Sequence, residues 1–221
     1  MENKKNIIGK NTQANSKSSL RGLRKPEVVA GTSRVSWKPG TMIYPLPAVL
    51  ISCGSTLEEY NLLTISWVGN ICTNPPICYI SVRPERYSYD IIKRNGEFAI
   101  NLTNEAMAYA TDWCGVKSGK DFNKFAEMKL TPAKSKFISA PVIKEAPLSI
   151  ECRVKEIIKL GSHDMFISDV VNVQADTRYI DPKTDTFDLA KAKLIAYSHG
   201  HYYKLGEKIG KFGWTVKKKA P

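Results

Sequence analysis

Leu148-Ser149-Ile150-Glu151-Cys152-Arg153-Val154-Lys155 alternates apolar and polar side chains without a break. Successive side chains of an extended chain point to opposite faces. Leu148, Ile150, Cys152 and Val154 therefore share one face, and Ser149, Glu151, Arg153 and Lys155 the other. This is a half-buried strand with one wet face. After it, the Leu160-Gly161-Ser162-His163 turn leads to a second strand over Met165 to Val173, and Leu194 to Tyr197 closes the set. Before it, Pro47 to Cys53 is a continuous apolar run bounded by Pro and Gly, which suits a strand covered on both sides. Leu62 to Val68, Ile77 to Val82 and, after a Gly96 turn, Phe98 to Leu102 are also rich in β-branched and aromatic residues. Helical signals lie between strands. Ser88 to Arg94 reads as a short helix capped near Ser88 and ended by Asn95-Gly96. Asn104 to Trp113 is a second, with Asn104 as N-cap and Gly115 just beyond it, and Asp121 to Glu127 is a third. Short strands with single helices between them predict a mainly β fold, an antiparallel barrel and not a doubly wound sheet.

With 221 residues and 43% hydrophobic content, the chain is expected to form one domain with extensions. Residues 1–34 are polar, lack an apolar period and read as a flexible basic arm; 35–214 hold the domain, and 215–221 form a basic tail. No apolar run approaches the roughly 18 residues of a membrane span, and the Lys- and Asn-rich start lacks a signal-peptide core. The expectation is a soluble, cytoplasmic protein. Cys53, Cys72, Cys78, Cys114 and Cys152 are widely spaced with no Cys-x-x-Cys pair. They read as reduced thiols, most of them small core residues, and not as a zinc or iron–sulfur site. The formal net charge of +12 is concentrated at the ends. Residues 1–34 carry eight Lys/Arg against two Asp/Glu, and residues 204–221 carry six against one. A near-neutral body between basic ends speaks against a nucleic-acid groove built into the fold.

No Gly-x-Gly-x-x-Gly follows a strand, so a dinucleotide fold has no support. Gly115-Val116-Lys117-Ser118-Gly119-Lys120 has one residue too few between its glycines for a phosphate loop, and Asp121 where Ser or Thr would hold magnesium. His199-Gly200-His201 places two histidines two residues apart, a poor arrangement for a metal. No Gly-x-Ser-x-Gly occurs. A polar constellation remains. Asn61, Thr64, Ser66 and Trp67, with Ile65 among them, lie on one apolar strand. Thr73-Asn74-Pro75-Pro76 forms a rigid turn. Ser81-Val82-Arg83-Pro84-Glu85-Arg86-Tyr87-Ser88 leads from a strand into a helix. Strand backbone can pair with the polar edge of a flat heterocycle, and an aromatic side chain can cover its face. Arginine with a hydroxyl at a helix start suits a phosphate. Residue by residue the plainer alternatives stand too: Ser88 as a helix cap, Arg83 on a wet face, Trp67 in the core.

At these residues the chain resembles the flavin reductase-like family with the FMN-binding split barrel, especially its flavoredoxin-type members. The resemblance runs from about Lys38 to Trp214. It rests on ordered motifs: Pro45 to Ile51; Asn61 to Gly69; Asn74-Pro75-Pro76; Ser81-Val82-Arg83 with Arg86-Tyr87-Ser88; Gly96 to Asn101; Ser118-Gly119 with Lys124-Phe125; and Tyr202 to Gly206. It implies a split β-barrel that dimerises and holds FMN non-covalently near the subunit interface. Thr64 to Trp67 would line the isoalloxazine, Ser81 to Arg83 the ribityl chain and phosphate, and Arg86, Tyr87 and Ser88 the phosphate. The segment from Trp113 to Gly119 would be a loop near the flavin, contributed by the same subunit or its partner. Flavin reductases of the family carry a His in a Gly-Asp-His turn near the nicotinamide site. Here the turn is Gly161-Ser162-His163-Asp164, with Ser for that Asp. His163 reads equally as a nicotinamide-side residue or as a solvated turn histidine. The resemblance thus implies an NAD(P)H-dependent oxidoreductase or, alternatively, an electron carrier with little NAD(P)H turnover that serves a redox donor or acceptor protein.

Overall fold

The computed structural model describes residues 27–216. The arm expected over 1–34 lies mostly outside the described residues, as does the end of the 215–221 tail. Up to Met42 the described residues belong to a unit of their own, a hairpin pairing Glu27–Val28 with Val35–Ser36.

From Ile43 onward the main element is a seven-stranded antiparallel sheet. Its strands are β1 (Val49–Cys53), β2 (Asn61–Ile65), β3 (Val68–Cys72), β4 (Ile77–Val82), β5 (Glu97–Leu102), β6 (Leu148–Lys159) and β7 (Asp164–Ala175). In space their order is β2-β1-β5-β6-β7-β4-β3. The alternating stretch is therefore β6, at the centre of the sheet, paired with β5 on one side and β7 on the other. Two register shifts in the β6–β7 pairing bend these long strands and curl the sheet into a half-barrel. Side chains inside the curl form one core around Ile51, Leu63, Ile80, Phe98, Ile100 and Phe166. β1 is buried on both faces, as its unbroken apolar run predicts. Its outer face carries Leu50 into a second core with Leu62, Met107, Cys114, Phe125 and Ile143.

Among the described residues four helices stand between strands: α1 (Tyr87–Asn95), α2 (Ala108–Val116), α3 (Lys124–Glu127) and α4 (Leu189–Ala192). α1 ends where Gly96 takes φ +67°, a left-handed C-cap. Asn104 caps a 3-10 turn, Glu105–Met107, by accepting from the Met107 N–H at 3.1 Å, and α2 follows directly. Gly115 belongs to the last turn of α2 instead of lying beyond it. The chain finishes its sheet structure with a hairpin of β8 (Ile195–Ser198) and β9 (His201–Lys204), which adds to Leu46–Pro47. All five cysteines are free; Cys53, Cys78, Cys114 and Cys152 are buried and Cys72 is partly so.

One expectation fails locally. The Leu62 to Val68 run is not one strand, because the chain turns at Ser66-Trp67 between β2 and β3. These two consecutive strands sit at opposite edges of the sheet. The turn joins the edges at a seam, and the Ser81 N–H extends the β3–β4 ladder into it by donating to the Trp67 carbonyl at 2.8 Å. An apolar run carries no mark of where a strand breaks, since both halves need buried residues.

Candidate functional site

The seam positions the cleft. β2 is an edge strand, so on one side its backbone groups are not spent on a neighbouring strand. A first lobe of about 400 Å³ opens there. Its walls are Leu63 to Trp67 from β2 and the corner, Ser81 to Arg83 from the end of β4, and Arg86 before α1. Asp112, Gly115 and Val116 of α2, His163, and Tyr197, Gly200 and Tyr202 of the β8–β9 hairpin complete it. A second lobe, also of about 400 Å³, shares Leu63, Arg83, Arg86 and Val116 with the first. It continues to Asn61, Glu85, Tyr87, Ser88, Lys117, Ser118, Gly119 and Lys124.

In the first lobe the Trp67 and His163 rings stack, with centroids 6.0 Å apart and planes 9° from parallel. Burial, then the nearby Arg83 guanidinium, holds the His163 imidazole below its ordinary pKa and favours its neutral form. Its Nδ1 lies 2.9 Å from the Ser162 hydroxyl. The turn that carries it is fixed from below: Tyr89 Oη of α1 donates to Asp164 Oδ2 at 2.6 Å, with both side chains buried. Across the lobe, Gly115 lets α2 approach β2, since a Cβ there would lie 3.2 Å from the Thr64 Cβ. The Thr64 hydroxyl donates to the Thr111 carbonyl across the same contact.

The second lobe is cationic. Arg83, Arg86, Lys117 and Lys124 line it against one acid, Glu85, which pairs with Arg83 at 3.5 Å on the exposed rim. Arg86 Nη1 donates to the Gly115 carbonyl at 3.2 Å, tying the start of α1 to the end of α2. Lys124 is only 3% exposed, and its Nζ donates to the carbonyls of Leu62 and Cys114, each at 2.8 Å. Burial pushes its pKa down to about 8. Ser88 does not cap α1. The N-cap is Arg86, no side chain bonds to the helix start, and Ser88 Oγ accepts instead from Asn61 Nδ2 at 2.7 Å. α1 thus begins beside the lobe with its positive dipole end uncapped, an arrangement that favours an anion.

The expected residues Asn61, Thr64, Ile65, Ser66, Trp67, Ser81, Val82, Arg83, Arg86, Tyr87, Ser88 and His163 all line this two-lobed cleft. Thr73 does not; it lies in the turn after β3. Gly115 to Gly119 of the same chain line the cleft, whereas Trp113 packs against the second core. Sequence reasoning missed Asp112, Tyr197 and Tyr202, and assigned Lys124 no role. Lys124-Phe125 and Tyr202-Tyr203 do fall within the family motifs, which was the available signal.

A lobe for a flat ring joined to a lobe for an anion is what a flavin mononucleotide requires, so the donor set fits that group. Residues 41–206 match the flavin reductase like domain. The chain belongs to that family. Among solved structures it is similar to flavoredoxin of Desulfovibrio vulgaris (Miyazaki F), at 28% identity and a TM-score of 0.76, over 82% of this chain and 98% of that one. It is equally close to flavoredoxin from Methanosarcina acetivorans, at 25% identity and a TM-score of 0.76, over 84% of this chain and 100% of that one. In sequence it is 26% identical over 114 residues to the reductase component of a 4-nitrophenol 4-monooxygenase/4-nitrocatechol 2-monooxygenase of Rhodococcus opacus, covering 52% of this chain and 58% of that protein. The flavin reductase-like fold is thus a split barrel, mainly β. Among the described residues, no helix is long and apolar enough to cross a membrane.

Proposed function

We propose that this flavin reductase-like protein holds FMN non-covalently and passes reducing equivalents from NAD(P)H through it to an acceptor, as a homodimer in the cytoplasm. The two-lobed cleft at the seam is the observation that carries this reading. Its first lobe offers edge-strand backbone and a stacked Trp67–His163 pair to a planar ring. Its second lobe offers Arg83, Arg86, Lys124 and the uncapped start of α1 to one terminal phosphate. A flavin held by these residues would supply the redox chemistry, accepting a hydride and passing electrons onward. The chain binds the cofactor, orients it and restricts water. His163 would offer a packing surface on the nicotinamide side, with its charged form disfavoured by burial and by Arg83.

A second reading, a flavoredoxin-type carrier that exchanges electrons with a protein partner, is favoured by Ser162. Flavin reductases carry Asp in that place, and here the Ser162 hydroxyl bonds His163 Nδ1. The likeness to two flavoredoxins also supports it. An absorption spectrum of the purified protein, taken before and after anaerobic NADH, tests both. A flavin spectrum that bleaches supports the reductase; a stable one that dithionite alone bleaches supports the carrier. A colourless protein that fails to bind added FMN overturns both.

A further inference from the structure

Part of the first lobe carries chemistry that the flavin-holding residues leave unused. Asp112 of α2 and Tyr202 of β9 both line it, and Tyr202 Oη donates to Asp112 Oδ1 at 3.2 Å. Tyr197 of β8 packs on Tyr202 edge to face, with ring centroids 5.8 Å apart at 61°. Burial, and after it the Asp112 carboxylate, pushes the Tyr202 phenol up to about 12. The phenol therefore stays protonated at working pH, with its proton committed to Asp112. What the pair still offers a ligand is acceptors: the lone pairs of the phenol oxygen and the second carboxylate oxygen. It also brings negative charge to a lobe whose other charged side chains, Arg83 and Arg86, are positive. Two adjacent acceptors beside an aromatic surface fit a flat ring with an N–H₂ group at its edge, and the charge fits a ring that becomes cationic as it reacts.

We propose that Asp112 and Tyr202 bind the primary carboxamide of a nicotinamide ring in the first lobe, accepting its N–H₂ and placing negative charge beside the ring. This rests on the hydride-donor reading above. The hydride leaves C4 of the dihydronicotinamide with both bonding electrons and goes to the flavin, and the ring is left as a pyridinium cation. Neither Asp112 nor Tyr202 gives or takes a proton. Because the positive charge appears only as the hydride departs, Asp112 stabilises the transition state and the oxidised product more than the reduced donor.

The test compares wild type with Asp112→Asn and Tyr202→Phe, all loaded with FMN. Three quantities are measured: FMN affinity by fluorescence quenching, NAD⁺ binding to the oxidised protein by calorimetry, and the anaerobic bleaching rate with NADH. The rate is repeated with reduced 3-acetylpyridine adenine dinucleotide, which has a methyl ketone for the carboxamide. Expected are FMN affinities within about twofold of wild type, and NAD⁺ affinity and bleaching rate lowered about tenfold in Asp112→Asn. Tyr202→Phe should lose several-fold with NADH and little with the acetyl analogue. Variants that match wild type in NAD⁺ affinity and bleaching overturn the inference, as does a Tyr202→Phe penalty equal for both donors. A wild type that holds FMN but neither bleaches with NADH nor binds NAD⁺ overturns the hydride-donor reading, and this inference with it.

Discussion

Lys124 is a cation held out of water, with two main-chain carbonyls as its partners and an anion-seeking lobe beside it. Its depressed pKa fixes a pH dependence. Between about 8 and the ordinary lysine value, the folded chain gives up a proton that the unfolded chain keeps. Rising pH through that window therefore relieves a folding penalty and at the same time removes a charge from the lobe. FMN affinity should fall about tenfold from pH 7 to 9.5, and Lys124→Met should bind weakly with a flat profile; flavin fluorescence titrations at stepped pH check both. Gly119 matters by its lack of a side chain. A Cβ there would lie well inside contact with the Asn61 amide, which its bond to Ser88 holds in place. Gly119→Ala should weaken FMN about tenfold or more, with a thermal midpoint within a few degrees of wild type, measured by fluorescence and differential scanning fluorimetry. Arg83, Arg86 and Ser88 could be picked out of the sequence because arginine and hydroxyl chemistry at a helix start is local. Lys124 could not, because its burial depends on α3 packing against β2, a contact between residues 62 apart in the chain.

Elements show the same division. Glu97–Leu102 and Ile77–Val82 fall where β-branched and aromatic residues predict them. The Asn104 cap is also where the local pattern puts it. The cap expected near Ser88 fails because, although serine at a helix start is a cap by default, its actual partner, Asn61, comes from a strand distant in sequence. The turn bearing His163 depends on a contact of the same non-local kind, Tyr89 to Asp164. Tyr89→Phe removes the donor and leaves a buried carboxylate short of a partner, at a cost of about 2 kcal/mol. Urea unfolding should register that loss. The fluorescence of wild-type and variant proteins should also differ at Trp67, whose ring stacks on the His163 that this turn holds.

For the whole molecule, the alternation in Leu148 to Lys155 announces an antiparallel strand with one polar face, but that face is wet only at Arg153 and Lys155, since Ser149 and Glu151 are buried, and the stretch hides what holds the sheet's centre. Glu151 points to the polar side and is nevertheless fully buried. Burial alone would raise its carboxyl. The N–H groups of Lys136 and Phe137 and the side-chain amides of Asn172 and Gln174 more than offset this and hold its pKa below the ordinary value. Its contribution to stability is therefore complete above the ordinary carboxylate range and is lost as pH falls through the lower folded value. The urea midpoint should stay level from pH 7 to 5 and drop below about pH 4. Glu151→Gln should cost about 3 kcal/mol at pH 7 and flatten that acid limb. The seam between β2 and β3 was equally hidden, since which strands become edges is decided by pairings across the whole chain.

The bare start of α1 bears on how the protein is made. A good N-cap is worth about 1 kcal/mol, and the Ser88 hydroxyl oxygen accepts from Asn61 instead of capping the helix. On the proposed function, the polypeptide omits one part of its own architecture and an anion would supply it from outside. The FMN proposed above would then behave as a final, non-covalent residue of the chain: whatever binds the finished molecule and not the unfolded one draws the population toward the finished state. Cells short of flavin would accumulate less of this protein, even with its message and its synthesis unchanged.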